Sequence, residues 1–144
     1  QRLAEAVQQM WRRDLGIEVR ITQKEFKVLL DVFDTLDYTI ARGRWIGEYP
    51  DPLTYLSIFT TGNGVNGTGF ADATYDAMID AAAREPTPAA RLAALQRAES
   101  YLFTQMPVAP LYWGSRTTLV AAAVRGWKKS PLGFRNYKDV WLEP

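Results

Sequence analysis

The order of predicted elements makes this an α/β chain, a mixed sheet flanked by helices. Three observations predict it. An amphipathic helix opens the chain and leads at once into a period-two strand. A second helix and a second strand repeat that order. Three further helices then run into strand-like residues towards the C-terminus. Helices that cross between strands favour a sheet with helices packed on it.

The first helix is expected over residues 2–15, where Leu3, Val7, Met10 and Trp11 recur at i, i+4, i+7 and i+8 on one face. Gly16 is placed to end it in the left-handed conformation that glycine adopts without a Cβ penalty. Ile17, Val19 and Ile21 alternate with Glu18, Arg20 and Thr22, the pattern of a half-buried strand. Residues 25–36 form the second helix, with Phe26, Leu29, Leu30 and Phe33 on one side, and residues 38–46 the next strand. Asp51 and Pro52 supply an N-cap and a preset first turn for a short helix through Phe59. Gly62-Asn63-Gly64 and Asn66-Gly67 demand more than one tight turn before Gly69. Asp72 caps a helix carrying Tyr75, Met78, Ile79 and Ala82. Thr87-Pro88 caps another, carrying Leu92, Leu95, Ala98 and Leu102 to about Met106. Residues 108–112 and 117–124 read as strands, and Tyr112 and Trp113 as core or interlobe packing.

The 144 residues are 47% hydrophobic, enough for one compact core and too few for two. Lys and Arg number 17 against 16 Asp and Glu, so the net charge of +1 offers no electrostatic attraction to nucleic acid or an anionic membrane. No apolar run approaches the roughly 20 residues that span a bilayer. Without cysteine the chain has no disulfide, thiolate metal site or thiol nucleophile. Without histidine it lacks the commonest general base and metal ligand, and with them any Ser-His-Asp site. No cofactor and no metal is implied.

The run Ala41-Arg42-Gly43-Arg44-Trp45-Ile46-Gly47-Glu48-Tyr49-Pro50-Asp51-Pro52 gathers two arginines, a tryptophan, a carboxylate and a tyrosine just before a helix start. A strand that delivers such a set to a loop can present both charges and an aromatic wall to one ligand. Blander readings exist for each residue. Glu48 can be a surface carboxylate beside Arg44, an exposed pair worth about 0–1 kcal/mol. Trp45 can be a core aromatic, and Arg42 can snorkel from a strand. Glu48 and Asp51 lie close enough in sequence to suggest a glycosidase pair, but Asp51 is better explained as the cap before Pro52, and the chain reads as a non-enzyme. Asn66-Gly67-Thr68 matches a glycosylation triplet that is common by chance. The last twenty residues interleave Trp127, Phe134, Tyr137 and Trp141 with Lys128, Lys129, Arg135 and Lys138, with Pro131 and Gly133 breaking order. Such interleaving suits single-stranded nucleic acid, yet the charge balance and the lack of an RNP-type motif favour aromatics that dock on another domain, with no nucleic-acid partner.

Several stretches, in order, resemble the periplasmic oligopeptide-binding proteins of ABC importers, the bacterial extracellular solute-binding proteins of family 5. Trp11-Arg12-Arg13-Asp14-Leu15-Gly16-Ile17-Glu18-Val19 and Glu25-Phe26-Lys27-Val28-Leu29-Leu30-Asp31 are similar to theirs, and residues 41–52 closely so. Asn66-Gly67-Thr68-Gly69-Phe70, Tyr75-Asp76-Ala77-Met78-Ile79 and Met106-Pro107-Val108-Ala109-Pro110-Leu111-Tyr112 continue the likeness. Val124-Arg125-Gly126-Trp127 and Pro131-Leu132-Gly133 fit the family's ending. The resemblance implies one lobe, mostly the second, of a type II periplasmic-binding-protein-like fold, in which two lobes close over a peptide and deliver it to a membrane permease.

The resemblance also implies roles. Glu48 stands where the family usually has an aspartate that binds the peptide α-ammonium, by a charge-assisted hydrogen bond in a partly dry cleft. Arg42 stands where a peptide carboxylate can be met. The backbone at Arg44 and Ile46 would pair with an extended peptide as an added strand. Trp45 would wall a side-chain pocket, and Phe26 keeps an aromatic where the family has tryptophan. Glutamate is one methylene longer than aspartate, and Phe33 replaces an arginine found in some members; both departures point to a different ligand length or type. A binder of a non-peptide solute, or an interaction domain that uses the aromatic tail, is the alternative.

Beginning at Gln1 without a cap, the chain reads as a fragment: residues 1–123 a ligand-binding lobe, and residues 124–144 a segment that packs on another lobe or a partner chain. The expected setting is the periplasm or cell envelope. Apolar surface left uncovered by the tail predicts self-association.

Overall fold

A computed structural model describes residues 2–115, 117–130 and 132–143. The expectations placed on Gln1 and Pro131 lie outside the described residues. Two compact units divide at Ile40 and Ala41.

In the first unit, α1 (Arg2–Met10) continues as a wide π-type turn, Trp11–Leu15. Gly16 ends it at φ 66°, as the sequence predicts, and the Gly16 and Ile17 N–H groups both reach back to the Trp11 carbonyl. The segment that follows is tied to α1 by the Gln8 side-chain amide, which donates to the Val19 carbonyl at 2.7 Å. Helix α2 (Phe26–Thr35) starts on Glu25, whose carboxylate accepts the N–H groups of Lys27 and Val28. It ends on Leu36 in the left-handed conformation, with the Asp37 N–H closing onto the Val32 carbonyl. That closure satisfies carbonyls the helix end would otherwise leave open.

The second unit is organised by a helical hairpin. Its helices α4 (Ala73–Arg84) and α5 (Pro88–Gln105) are joined by three residues, 85–87. Asp72 Oδ1 accepts the Thr74 and Tyr75 N–H groups, and Thr87 Oγ1 accepts that of Ala90, so both predicted caps form. Tyr75, Ile79 and Ala82 on α4 face a core shared with Ala94, Leu95, Ala98 and Leu102 on α5. The alanines let the helix axes approach closely. Helix α3 (Leu53–Leu56) and the 3-10 turn Ser57–Phe59 add Leu56 to this core, and the fully buried Tyr75 hydroxyl donates to the Leu56 carbonyl at 2.8 Å. Burial pushes the Tyr75 phenol well above its ordinary pKa. The Gly-rich connection turns tightly more than once, with Gly62 and Gly69 at positive φ. Asn66 builds one of these turns: its Oδ1 accepts from Thr68 and its Nδ2 donates to the Phe70 carbonyl at 2.9 Å. The glycosylation reading of Asn66 would require that same nitrogen.

Four strand readings are corrected. Residues 17–22, 38–46, 108–112 and 117–123 enter no ladder among the described residues. A helix satisfies its backbone within itself, whereas a strand needs a neighbour, and period-two patterning cannot supply one. The observed pairing joins β1 (Val124–Arg125) to β2 (Trp141–Leu142), antiparallel, with Val124 opposite Leu142. The tail therefore closes on itself. Arg125 pairs with Glu143 at 2.5 Å, and the Arg135 guanidinium lies 5.8 Å from the Trp127 ring centroid. Gly126, at φ 73°, packs so tightly against the Asp139 carbonyl that no Cβ fits there. Tyr112 and Trp113, expected in core or interlobe packing, are not in a core: they are exposed, Trp113 by 84%, and Trp113 meets Tyr55 edge to face.

Truncating the core gives a direct check. Leu95→Ala should cost about 2–5 kcal/mol in denaturant unfolding. Tyr75→Phe should cost about 1–3 kcal/mol, because the Leu56 carbonyl loses its buried donor.

Candidate functional site

The run from Arg42 to Pro52 leads directly into α3, and the two form one hydrogen-bonded unit. Pro52, at φ −56°, is already helical, so α3 can begin at Leu53 without further ordering. Asp51 caps it as predicted, through a bond from the Leu53 N–H to Asp51 Oδ1 at 2.9 Å. The Asp51 carbonyl accepts the Thr54 N–H at 3.2 Å. Two hydroxyls on the first turn then reach back to the run. Thr54 Oγ1 accepts the Glu48 N–H at 2.9 Å, and the Tyr55 hydroxyl accepts the Gly47 N–H at 3.2 Å. Thr54 is 3% exposed. A Cβ on Gly47 would lie 2.8 Å from the Tyr55 oxygen and 3.2 Å from Thr54 Cγ2, so glycine alone fits this contact without displacing the hydroxyl.

A second tie runs to α5. Arg91 grips Asp51 with two parallel bonds, Nη1 to Oδ2 at 2.6 Å and Nη2 to Oδ1 at 3.0 Å, with both side chains about two-thirds buried. These bonds hold the Asp51 carboxyl below its ordinary pKa, against partial desolvation, with the Leu53 N–H adding to the effect. The same contact raises Arg91.

The predicted ligand-contacting residues lie on the surface of this framework. The Glu48 side chain is exposed, and its carboxylate makes no hydrogen bond or ion pair among the described residues; the pairing with Arg44 does not form. Arg42, Arg44, Trp45 and Ile46 are exposed as well. The backbone from Arg42 to Ile46 makes no backbone hydrogen bond among the described residues. Trp45 is therefore not a core aromatic in this unit. Phe26 belongs to the first unit, at the start of α2, and is 70% exposed. Sequence reasoning missed Thr54, Tyr55 and Arg91. The first two had a signal, since hydroxyls one turn into a helix commonly bond back to the chain entering it, whereas Arg91 is 40 residues from Asp51 and carried none.

The geometry bears on the suggested pairing of Glu48 with Asp51. Asp51 is committed to Arg91 and to the α3 cap, so it is not free to act with Glu48. Among the described residues no group of three or more acidic side chains is placed to hold a metal ion. Among the described residues no helix is long and apolar enough to cross a membrane. Two open concavities stand out, one lined by Gln8, Arg20 and Gln23 and one by Asp51, Pro88 and Arg91; Glu48 and Trp45 line neither. Apart from the buried Gly47, residues 42–50 are exposed.

Residues 1–67 match the family described as bacterial extracellular solute-binding proteins, family 5 Middle. The chain is 31% identical over 137 residues to the dipeptide-binding protein DppE of Bacillus subtilis (strain 168), covering 95% of this chain and 25% of DppE. It is 32% identical over 126 residues to the oligopeptide-binding protein OppA of the same organism, covering 87% of this chain and 23% of OppA. The structure of the Escherichia coli murein tripeptide binding protein MppA matches with a TM-score of 0.89 and 29% identity, over 97% of this chain and 28% of MppA. The chain thus spans about a quarter of the length of these relatives. The match to MppA carries the α/β-lobe assignment, which the two short strands alone would not.

The Asp51–Arg91 contact has a pH signature. The folded pKa of Asp51 lies below the unfolded value of about 3.9, so the contact adds stability above that pH and loses it as pH falls through the folded value. Arg91→Gln should lower the melting temperature at pH 7, and the gap from the parent protein should narrow as the pH falls below about 3.9 and close below the folded value.

Proposed function

We propose that this chain, whose residues 1–67 match family 5 of the bacterial extracellular solute-binding proteins, is part of a protein that captures short peptides for import through an ABC-transporter permease. The reading is of a binding protein and not an enzyme, and of one that works in the periplasm or at the cell envelope. A free peptide is a zwitterion with an unpaired backbone. It is best held by a carboxylate near its amine, a cation near its carboxylate and a strand edge alongside.

The observation that carries the reading is the combination found in residues 42–48. A backbone without ladder partners lies beside an unpaired Glu48 carboxylate, and the Gly47 and Glu48 N–H groups are pinned from behind. In this proposal Glu48 meets the peptide α-ammonium, and the backbone of Arg44 and Ile46 pairs with the peptide as an added strand. Arg42 meets the peptide carboxylate, and Trp45 walls a side-chain pocket. The names of the relatives, which bind dipeptides, oligopeptides or a murein tripeptide, support peptide as the ligand class.

Calorimetric titration of the full-length protein tests this. Glu48→Gln should weaken binding of free-amine peptides by roughly ten- to a hundredfold, the worth of one hydrogen bond to a charged group. It should change the binding of N-acetylated peptides far less. An equal loss for both would remove Glu48 from the amine.

A further inference from the structure

We infer that Arg91 is a positioning residue for Glu48, acting through Asp51 and the first turn of α3. The inference rests on the reading of Glu48 as the partner of a ligand amine. Each link is a hydrogen bond. Arg91 holds both oxygens of Asp51, at 2.6 and 3.0 Å. Asp51 in turn takes the Leu53 N–H on its carboxylate at 2.9 Å and the Thr54 N–H on its carbonyl at 3.2 Å. Thr54 then takes the Glu48 N–H at 2.9 Å.

Three physical features make this a positioning device and more than a staple. A two-pronged guanidinium contact fixes both the direction and the rotation of a carboxylate, which a single ammonium cannot do. Thr54 is β-branched and buried, so few χ1 rotamers are open to it, and the bond its hydroxyl accepts from the Glu48 N–H selects one of them. Arg91 sits on α5 beside Ala94 and Leu95, which are fixed in the core. The position of Glu48 is therefore referred to the buried core of the unit, and not to a loop containing Pro50 and Pro52. Without Arg91 the local bonds of residues 47–54 survive, but the turn loses its reference to α5. The Glu48 carboxylate then samples a wider region, and the ligand amine must bear the cost of fixing it.

The test is calorimetry on the full-length protein with a tripeptide and its N-acetylated form, alongside melting temperatures. The parent should prefer the free amine. Arg91→Gln and Thr54→Val should each reduce that preference roughly five- to tenfold, the size expected for residues in one hydrogen-bond network. Thr54→Ser should retain it, and Arg91→Lys should restore only part of it. Lower melting temperatures with an unchanged preference would make Arg91 a structural staple only and overturn the inference. If Glu48→Gln abolishes the preference while Arg91→Gln and Thr54→Val leave it intact, the inference fails and the ammonium reading stands. If Glu48→Gln leaves the preference unchanged, both fail. Should Arg91→Gln not fold, the Thr54→Val and Thr54→Ser pair decides by the same readout.

Discussion

Asp51 is the constraint on which the exposed end of the second unit depends. Its carboxylate accepts three hydrogen bonds, two from Arg91 and one from the Leu53 N–H, and its carbonyl accepts a fourth from Thr54. A carboxylate so engaged cannot swing to solvent, so the start of α3 has one geometry. The Thr54 and Tyr55 hydroxyls inherit that geometry and pass it to the Glu48 and Gly47 N–H groups. Here the backbone is satisfied by side chains rather than by a ladder, which leaves the outer edge of the run available.

The α4–α5 hairpin gives this arrangement something rigid to act against. Its core is small, built on Tyr75, Leu95 and Leu102 with alanines between, and it includes Leu56 from the end of α3. Asp72 joins the two helices a second time: besides capping α4, it accepts the Tyr101 hydroxyl at 2.9 Å. The backbone hydrogen bond from Tyr75 leads the causes that hold the Asp72 carboxyl below its ordinary pKa. The connection from α3 thus enters α4 at a helix start that the Asp72 carboxylate fixes. The turns between them, set by Asn63, Asn66 and two glycines at positive φ, are fixed by their own side chains.

What was legible in the sequence is what is local. Gly16, Asp72 and Thr87-Pro88 mark helix ends through chemistry that acts within six residues, and each appears where the sequence puts it. Leu36 and Met106 also end helices in the left-handed conformation, and neither residue type signals it. Strands were legible as patterns but not as pairings, since a ladder depends on a neighbour that alternation does not name. The α/β lobe was recovered through the resemblance over residues 11–19, 25–31 and 41–52 and through the match to MppA. At the candidate site, Glu48 and its run were conspicuous because charged and aromatic residues crowd one short stretch. Arg91 was not, because an ion pair between residues far apart in sequence leaves no local mark. In the tail, Trp127 meets Tyr137 and Arg135, Lys128 meets Asp139 and Arg125 meets Glu143, pairings that composition does not name, while Phe134, Tyr137 and Trp141 stay exposed.

The central claim is that a peptide with a free amine is the ligand. Native mass spectrometry of the full gene product from its source cells, followed by sequencing of whatever is released on denaturation, tests it most directly. Release of short peptides with unmodified N-termini is the expected result. Release of a non-peptide solute, with no peptide, would contradict it.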